Sequence, residues 1–191
     1  MHFGITFDYL CPFARNAAEA VLNGVEEGRD WQPRYVAFSL AQAHTAEDEP
    51  DVWDKSSGKS GVLALQWGLA ARDSFPEIFP AVHRALFAAR HDDGRDINDE
   101  AILRKAVTSA GADPDAIAAV VAIGSPKEAL AADHMEAAGE WSVFGVPTFL
   151  AGDDATFVRF MSRGDVEDLQ RVLDMLSWTN LNEFKRTTTP R

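Results

Sequence analysis

Phe7-Asp8-Tyr9-Leu10-Cys11-Pro12-Phe13-Ala14-Arg15 holds the one cysteine of the chain, at the point where one hydrophobic period gives way to another. Upstream, Phe3, Ile5 and Phe7 alternate with His2, Gly4, Thr6 and Asp8, the period of a strand with one face inward. Downstream, Ala14, Ala17, Ala18, Val21, Leu22 and Val25 recur at the three-and-four spacing of one buried helical stripe, and Arg15, Asn16, Glu19 and Asn23 fall outside it. Proline is favoured at the first helical position, where its missing N–H costs nothing, so Pro12 makes Cys11 the expected N-cap. Trp31 to Phe38 follows, with Val36 and Phe38 alternating and Pro33 near the start, where a strand tolerates it. The opening of the chain is predicted to be a βαβ unit.

A thiol at a helix N-terminus sits beside unpaired backbone N–H groups and the positive end of the helix dipole. Both stabilise a thiolate, which is the reactive form, and the expected pKa lies below the ordinary thiol value of about 8.5. A free cysteine also serves as a small buried hydrophobe, so position alone does not assign a reaction. Far downstream, Phe144-Gly145-Val146-Pro147-Thr148-Phe149-Leu150 has a proline opening an apolar strand.

The motif Cys-Pro-Phe-Ala after a first strand, a helical middle, and Gly-Val-Pro-Thr-Phe opening a third strand together resemble the DsbA-like branch of the thioredoxin superfamily. The resemblance runs the length of the chain. Leu86-Phe87, Gly94-Arg95-Asp96-Ile97 and Leu103 to Gly111 also look like its cytoplasmic FrnE-like members. The resemblance implies a thioredoxin-like α/β fold with an all-helical insertion between the βαβ and ββα halves. With the polar, irregular run Leu40 to Gly61 read as a mobile loop, the resemblance divides the chain into a thioredoxin-like domain at 1–40 and 144–180, that loop at 41–60, a helical insertion at 61–140 and a tail at 181–191. It makes Cys11 the catalytic residue and implies that Pro147 is cis and lies against it. Val146 would offer backbone hydrogen bonds to a bound peptide or thiol, and Pro12, Phe13 and Thr148 would complete the substrate-binding set.

One departure from the family pattern bears on the chemistry. A Cys-x-x-Cys enzyme carries its resolving cysteine where this chain has Ala14, so no intramolecular disulfide can form. Cys11 could attack a disulfide and form a mixed disulfide, but release would need an outside thiol. The expected function is that of a cytoplasmic thiol-disulfide oxidoreductase with a single nucleophile. Monothiol exchange, peroxide sensing through a sulfenic acid and thiol transfer all fit one sulfur. The kappa-class glutathione transferases and hydroxychromene carboxylate isomerases are similar to the chain in fold and insertion, but usually carry a serine near this position and activate a bound thiol. They supply the alternative.

With 191 residues and 46% hydrophobic content the chain can bury a core, and its length suits one domain with an insertion. A net charge of −12, without clustered Lys or Arg, argues against nucleic acid and anionic membranes as partners. No basic segment precedes an apolar run near Met1 and no stretch approaches a membrane span, so a cytoplasmic location is expected. The five histidines show no metal-ligand spacing, and no metal or tightly bound cofactor is expected. The expected partner is a small thiol, such as glutathione or mycothiol, or a protein disulfide, and the oligomeric state is open between monomer and homodimer.

Within the insertion, Val62, Leu65 and Leu69 mark one helix, and Ser74-Phe75-Pro76 opens a second through Ile78, Val82, Leu86 and Ala89. Asn98 is the expected cap of a third, Asp113-Pro114 starts a fourth, and Ser125-Pro126-Lys127-Glu128 reads as a capping box for a fifth that stops at Gly139. After Pro147, the turn Gly152-Asp153-Asp154 leads to a strand holding Phe157 or its neighbours Val158 and Phe160, and Asp165 caps a last helix. Trp53 is either a lid or, more simply, an anchor for the long loop. His44 is either a proton shuttle or a solvated side chain. Phe75, Phe79, Phe87, Trp67 and Trp141 either line a cleft or form core. Gly58-Lys59-Ser60 lacks the glycine and strand of a phosphate-binding loop, and the Asp92 to Glu100 acidic cluster has its glycine at the wrong place for calcium.

Overall fold

In the computed structural model, which describes residues 1–46, 48–54, 60–178 and 180, strand β1 (His2–Phe7) is central in a four-stranded sheet. It pairs in parallel with β2 (Gln32–Ala37), Phe7 opposite Ala37, across the connecting helix α1 (Pro12–Glu26). On its other side it pairs antiparallel with β3 (Thr148–Ala151), Ile5 opposite Phe149, and β3 turns back into β4 (Asp154–Phe157). The final helix α8 (Val166–Met175) packs on α1. The sheet order β2-β1-β3-β4 is that of a thioredoxin fold.

Between β2 and β3 come α2 (Leu40–Ala43), α3 (Val62–Ser74), α4 (Phe79–His91), α5 (Glu100–Ser109), α6 (Pro114–Ile123) and α7 (Ser125–Gly139). Arg72 of α3 ties this helical part to the sheet by donating to the Tyr35 carbonyl at 2.7 Å and to Asp133 of α7 at 2.5 Å. Asp133 in turn accepts the Ala37 N–H at 2.8 Å. A second tie is aromatic: His83 of α4 is enclosed by the rings of Phe7, Tyr9, Tyr35, Phe79 and Phe87, and its Nδ1 bonds the Tyr9 hydroxyl at 2.8 Å. Burial pulls the His83 pKa down to about 3, so the ring is neutral. Helix α3 crosses so close that a Cβ at Gly68 would lie 2.2 Å from the Tyr9 hydroxyl oxygen, which is why only glycine fits there.

Several sequence expectations are corrected. Every residue of β1 after His2 is buried, not only the odd-numbered face, because a central strand is covered on both sides. On α1, Val25 is exposed at the last turn, whereas Glu19 is buried, paired with Arg15 and Arg163. Ser74 closes α3 instead of opening α4: Phe75 still donates to Ala71, and Pro76 disfavours helix at the residue before it. Helix α4 starts at Phe79. The cap of α5 is Asp99, accepting from Ala101 at 2.9 Å, because the Asn98 side-chain oxygen Oδ1 is taken by the Gly61 N–H at 2.9 Å.

Ser125 makes no capping bond, since Gly124, with φ of 97°, both ends α6 and precedes α7 and leaves Ser125 already helical. Strand β4 keeps Phe157 and excludes Val158 and Phe160. The long segment after β2 is not irregular throughout, as α2 shows, and Trp53 is buried against His134, an anchor and not a lid. Trp67, Phe79 and Phe87 are core, while Phe75 and Trp141 are half-buried at its margin. The stretch Lys55 to Lys59 and the tail 181–191 lie outside the described residues.

Candidate active site

Cys11 follows the C-terminal end of β1 and is the N-cap of α1, with extended backbone (φ −97°, ψ 117°) and Pro12 as the first helical residue. Its N–H donates to the Asp8 carbonyl at 3.0 Å and its carbonyl accepts from Arg15 at 3.1 Å, so a tight turn delivers the thiol to the helix start. The side chain makes no capping bond and instead donates from Sγ to the Val146 carbonyl at 3.3 Å. Only 8% of the residue is exposed.

The electrostatics oppose one another. The N–H groups of Ala14 and Phe13 and the Arg159 guanidinium draw the thiol pKa down, as expected at a helix start. Burial is the larger effect and, with the Asp8 carboxylate also pushing upward, the thiol pKa ends above its ordinary value. The sequence expectation of a lowered pKa is therefore overturned: the dipole acts, but a nearly enclosed sulfur loses more by desolvation of its anion than two N–H groups return.

The partner loop is held firmly. The Val146–Pro147 bond is cis, Pro147 is buried, and its carbonyl accepts the Val158 N–H at 3.2 Å. Thr148 donates from its N–H to the Thr6 hydroxyl at 2.8 Å and from its own hydroxyl to the Gly145 carbonyl at 2.7 Å. These bonds make Thr148 a brace for the loop, buried beneath it. Phe13 is half-buried beside the thiol with the Arg159 guanidinium 5.6 Å from its ring centre, and Pro12 is exposed at the rim. The structure thus joins Cys11 directly to Val146 and places the other predicted residues around that contact.

Two groups escaped the sequence reading. Asp8 is fully buried, accepting the Leu10 N–H at 2.9 Å and the Leu40 N–H at 2.8 Å, so one carboxylate fixes both the cysteine turn and the segment after β2. Burial raises its pKa to about 6 despite those two donors. A carboxylate two residues before the turn N–H it receives was a readable signal. Arg159 had none, because its place at the thiol depends on the folding of a distant hairpin. His44 is exposed and bonded to the Leu40 carbonyl at 2.6 Å, whereas His91 reaches the cysteine turn through the Tyr9 carbonyl at 2.9 Å. Among the described residues no group of three or more His, Cys, Asp or Glu could hold a metal ion. An open cavity of about 660 Å³, lined by Pro33, Tyr35, Arg72 and Phe79 among others, opens near the start of β2, away from the end that neighbours Cys11.

The DSBA-like thioredoxin domain matches residues 5–174. The chain belongs to that family. Among solved structures, a DSBA-like fold recurs in the cytosolic disulfide reductase DsbM from Pseudomonas aeruginosa, determined with GSH, at 18% identity and a TM-score of 0.66, covering 92% of this chain and 98% of that one. The 2-hydroxychromene-2-carboxylate isomerase is similar at 17% identity and a TM-score of 0.64, with 94% and 98% covered. A thioredoxin-like oxidoreductase from Silicibacter pomeroyi is similar at 19% identity and 0.61, with 93% and 87% covered. At these identities the likeness is one of fold. No curated protein matches the sequence. Among the described residues of this DSBA-like chain, no helix is long and apolar enough to cross a membrane.

Proposed function

We propose that this DSBA-like protein is a monothiol thiol-disulfide oxidoreductase of a reducing cytoplasm, with Cys11 as its nucleophile. The observation that carries the proposal is the Sγ contact with the Val146 carbonyl, which aims the sulfur at the loop where a partner sulfur would lie. In the reaction, the Cys11 proton passes to solvent and the thiolate attacks one sulfur of a disulfide. A new bond forms from Sγ, the old S–S bond breaks, and the leaving sulfur takes the electron pair and a proton. Ala14 offers no second thiol, so a small cellular thiol attacks the mixed disulfide and returns Cys11 reduced. The raised thiol pKa, set first by burial, suits a resting site guarded against indiscriminate oxidation, because less of the sulfur is present as the reactive thiolate.

The same raised pKa favours a second function. A thiol that stays protonated near neutral pH is a hydrogen-bond donor, the role a serine would play toward a bound foreign thiolate in a kappa-class transferase or hydroxychromene carboxylate isomerase. Turnover of bis-hydroxyethyl disulfide by glutathione in the presence of Cys11→Ser separates the two. Exchange by Cys11 predicts loss of catalysis with an intact fold. A serine variant that retains the wild-type rate overturns it in favour of a thiol-binding transferase or isomerase.

A further inference from the structure

Resting on the proposed thiol exchange, we infer that Arg159 determines specificity: its guanidinium, held over Phe13 at the rim of Cys11, selects disulfides that carry a carboxylate close to the sulfur. Its position is built, not incidental. The Val158 N–H donates to the Pro147 carbonyl at 3.2 Å, and Asn16 of α1 donates from Nδ2 to the Phe160 carbonyl at 2.9 Å, so the residues on either side of Arg159 are pinned to the two walls of the site. Phe160 points inward and is buried, which turns Arg159 outward over the Phe13 ring.

The neighbouring cations are differently engaged. Arg15 and Arg163 share Glu19 and Asp92 between them, two positive and two negative charges that cancel locally. Arg159 makes no ion pair among the described residues and faces only an aromatic ring, a weakly held state for a guanidinium that leaves its fork of donors for an incoming carboxylate. The charged groups acting on the thiol itself are Asp8, which is buried and accepts two backbone N–H groups, and Arg159. On a chain of net charge −12, long-range repulsion would turn anionic disulfides away, and a lone cation at the site entrance reverses that preference locally. The substrate class is thus an anionic small-molecule disulfide, or a protein disulfide flanked by Asp or Glu.

The test measures second-order rates of mixed-disulfide formation at Cys11 with dithiodiglycolate, bis-hydroxyethyl disulfide and cystamine, which are anionic, neutral and cationic. Each rate is taken for the wild type, Arg159→Gln and Arg159→Lys at low and high salt. The ratio of anionic to neutral rate cancels any change in thiol pKa. It is expected to fall about tenfold in Arg159→Gln, to recover in Arg159→Lys, and to shrink with salt in the wild type. A ratio that is the same in wild type and Arg159→Gln overturns the inference while leaving thiol exchange standing. A Cys11 inert even to the neutral disulfide overturns thiol exchange, and the inference with it.

Discussion

Cys11 Sγ donates to the carbonyl of Val146 across 3.3 Å, joining the start of α1 to the loop that opens β3. The sulfur at rest is therefore a protonated, enclosed thiol. The folded state binds this proton more tightly than the unfolded chain does, since burial raises the pKa. The stability it contributes is complete below the ordinary thiol value and is lost as pH rises through the folded value. Alkylation by iodoacetamide followed across pH should show a midpoint above that of the same chain in denaturant. A native midpoint below the denatured one would mean that the helix start outweighs burial.

Asp8 carries a second pH dependence of the same sign. Its carboxyl pKa is raised from 3.8 to about 6, so the folded state is favoured by its protonation and loses stability as pH rises across that window. A gap of about two units corresponds to at most roughly 3 kcal/mol. Urea unfolding of the wild type between pH 4 and 7 should show this decline, and Asp8→Asn should flatten it. The variant leaves one of the Leu10 and Leu40 N–H groups facing an amide NH₂, which costs about 1–3 kcal/mol at every pH. Because the Asp8 charge also holds the Cys11 pKa up, the alkylation midpoint of Asp8→Asn should move down.

Asp133 anchors the insertion to the sheet by accepting from Arg72 and from the Ala37 N–H. Asp133→Ala leaves the Ala37 N–H unpaired and takes from Arg72 its contact with α7, leaving it the Tyr35 carbonyl and Asp73, at a cost of about 3 kcal/mol in this largely buried place. For a chain of this size that lowers the thermal midpoint by roughly 10 °C. Thermal unfolding checks the loss, and the alkylation rate of Cys11 in the folded variant should match wild type, because Asp133 touches no part of the thiol site.

Local signals and distant contacts were unequally legible in the sequence. The βαβ opening, the Cys11 N-cap and the Asp113 and Asp165 caps follow from periodicity and capping chemistry within a few residues. Helix starts failed where the expected cap was engaged or displaced: the Asn98 side chain turns to the distant Gly61, and the neighbouring Gly124, with its left-handed backbone, displaces Ser125. The burial of Glu19 was hidden because its partner Arg163 comes from the far end of the chain. The thiol pKa was misread for the same reason. The helix dipole is a local property visible at Pro12, but desolvation depends on the loop at Val146 and on everything packed above it.

The most direct test of the account is the intact mass of the native protein after incubation with bis-hydroxyethyl disulfide, before and after added glutathione. Thiol exchange at Cys11 predicts one mercaptoethanol adduct per chain, located at Cys11 and removed by glutathione. A native protein that stays unmodified, while the same chain in denaturant takes up the adduct, would contradict it and leave Cys11 a structural thiol.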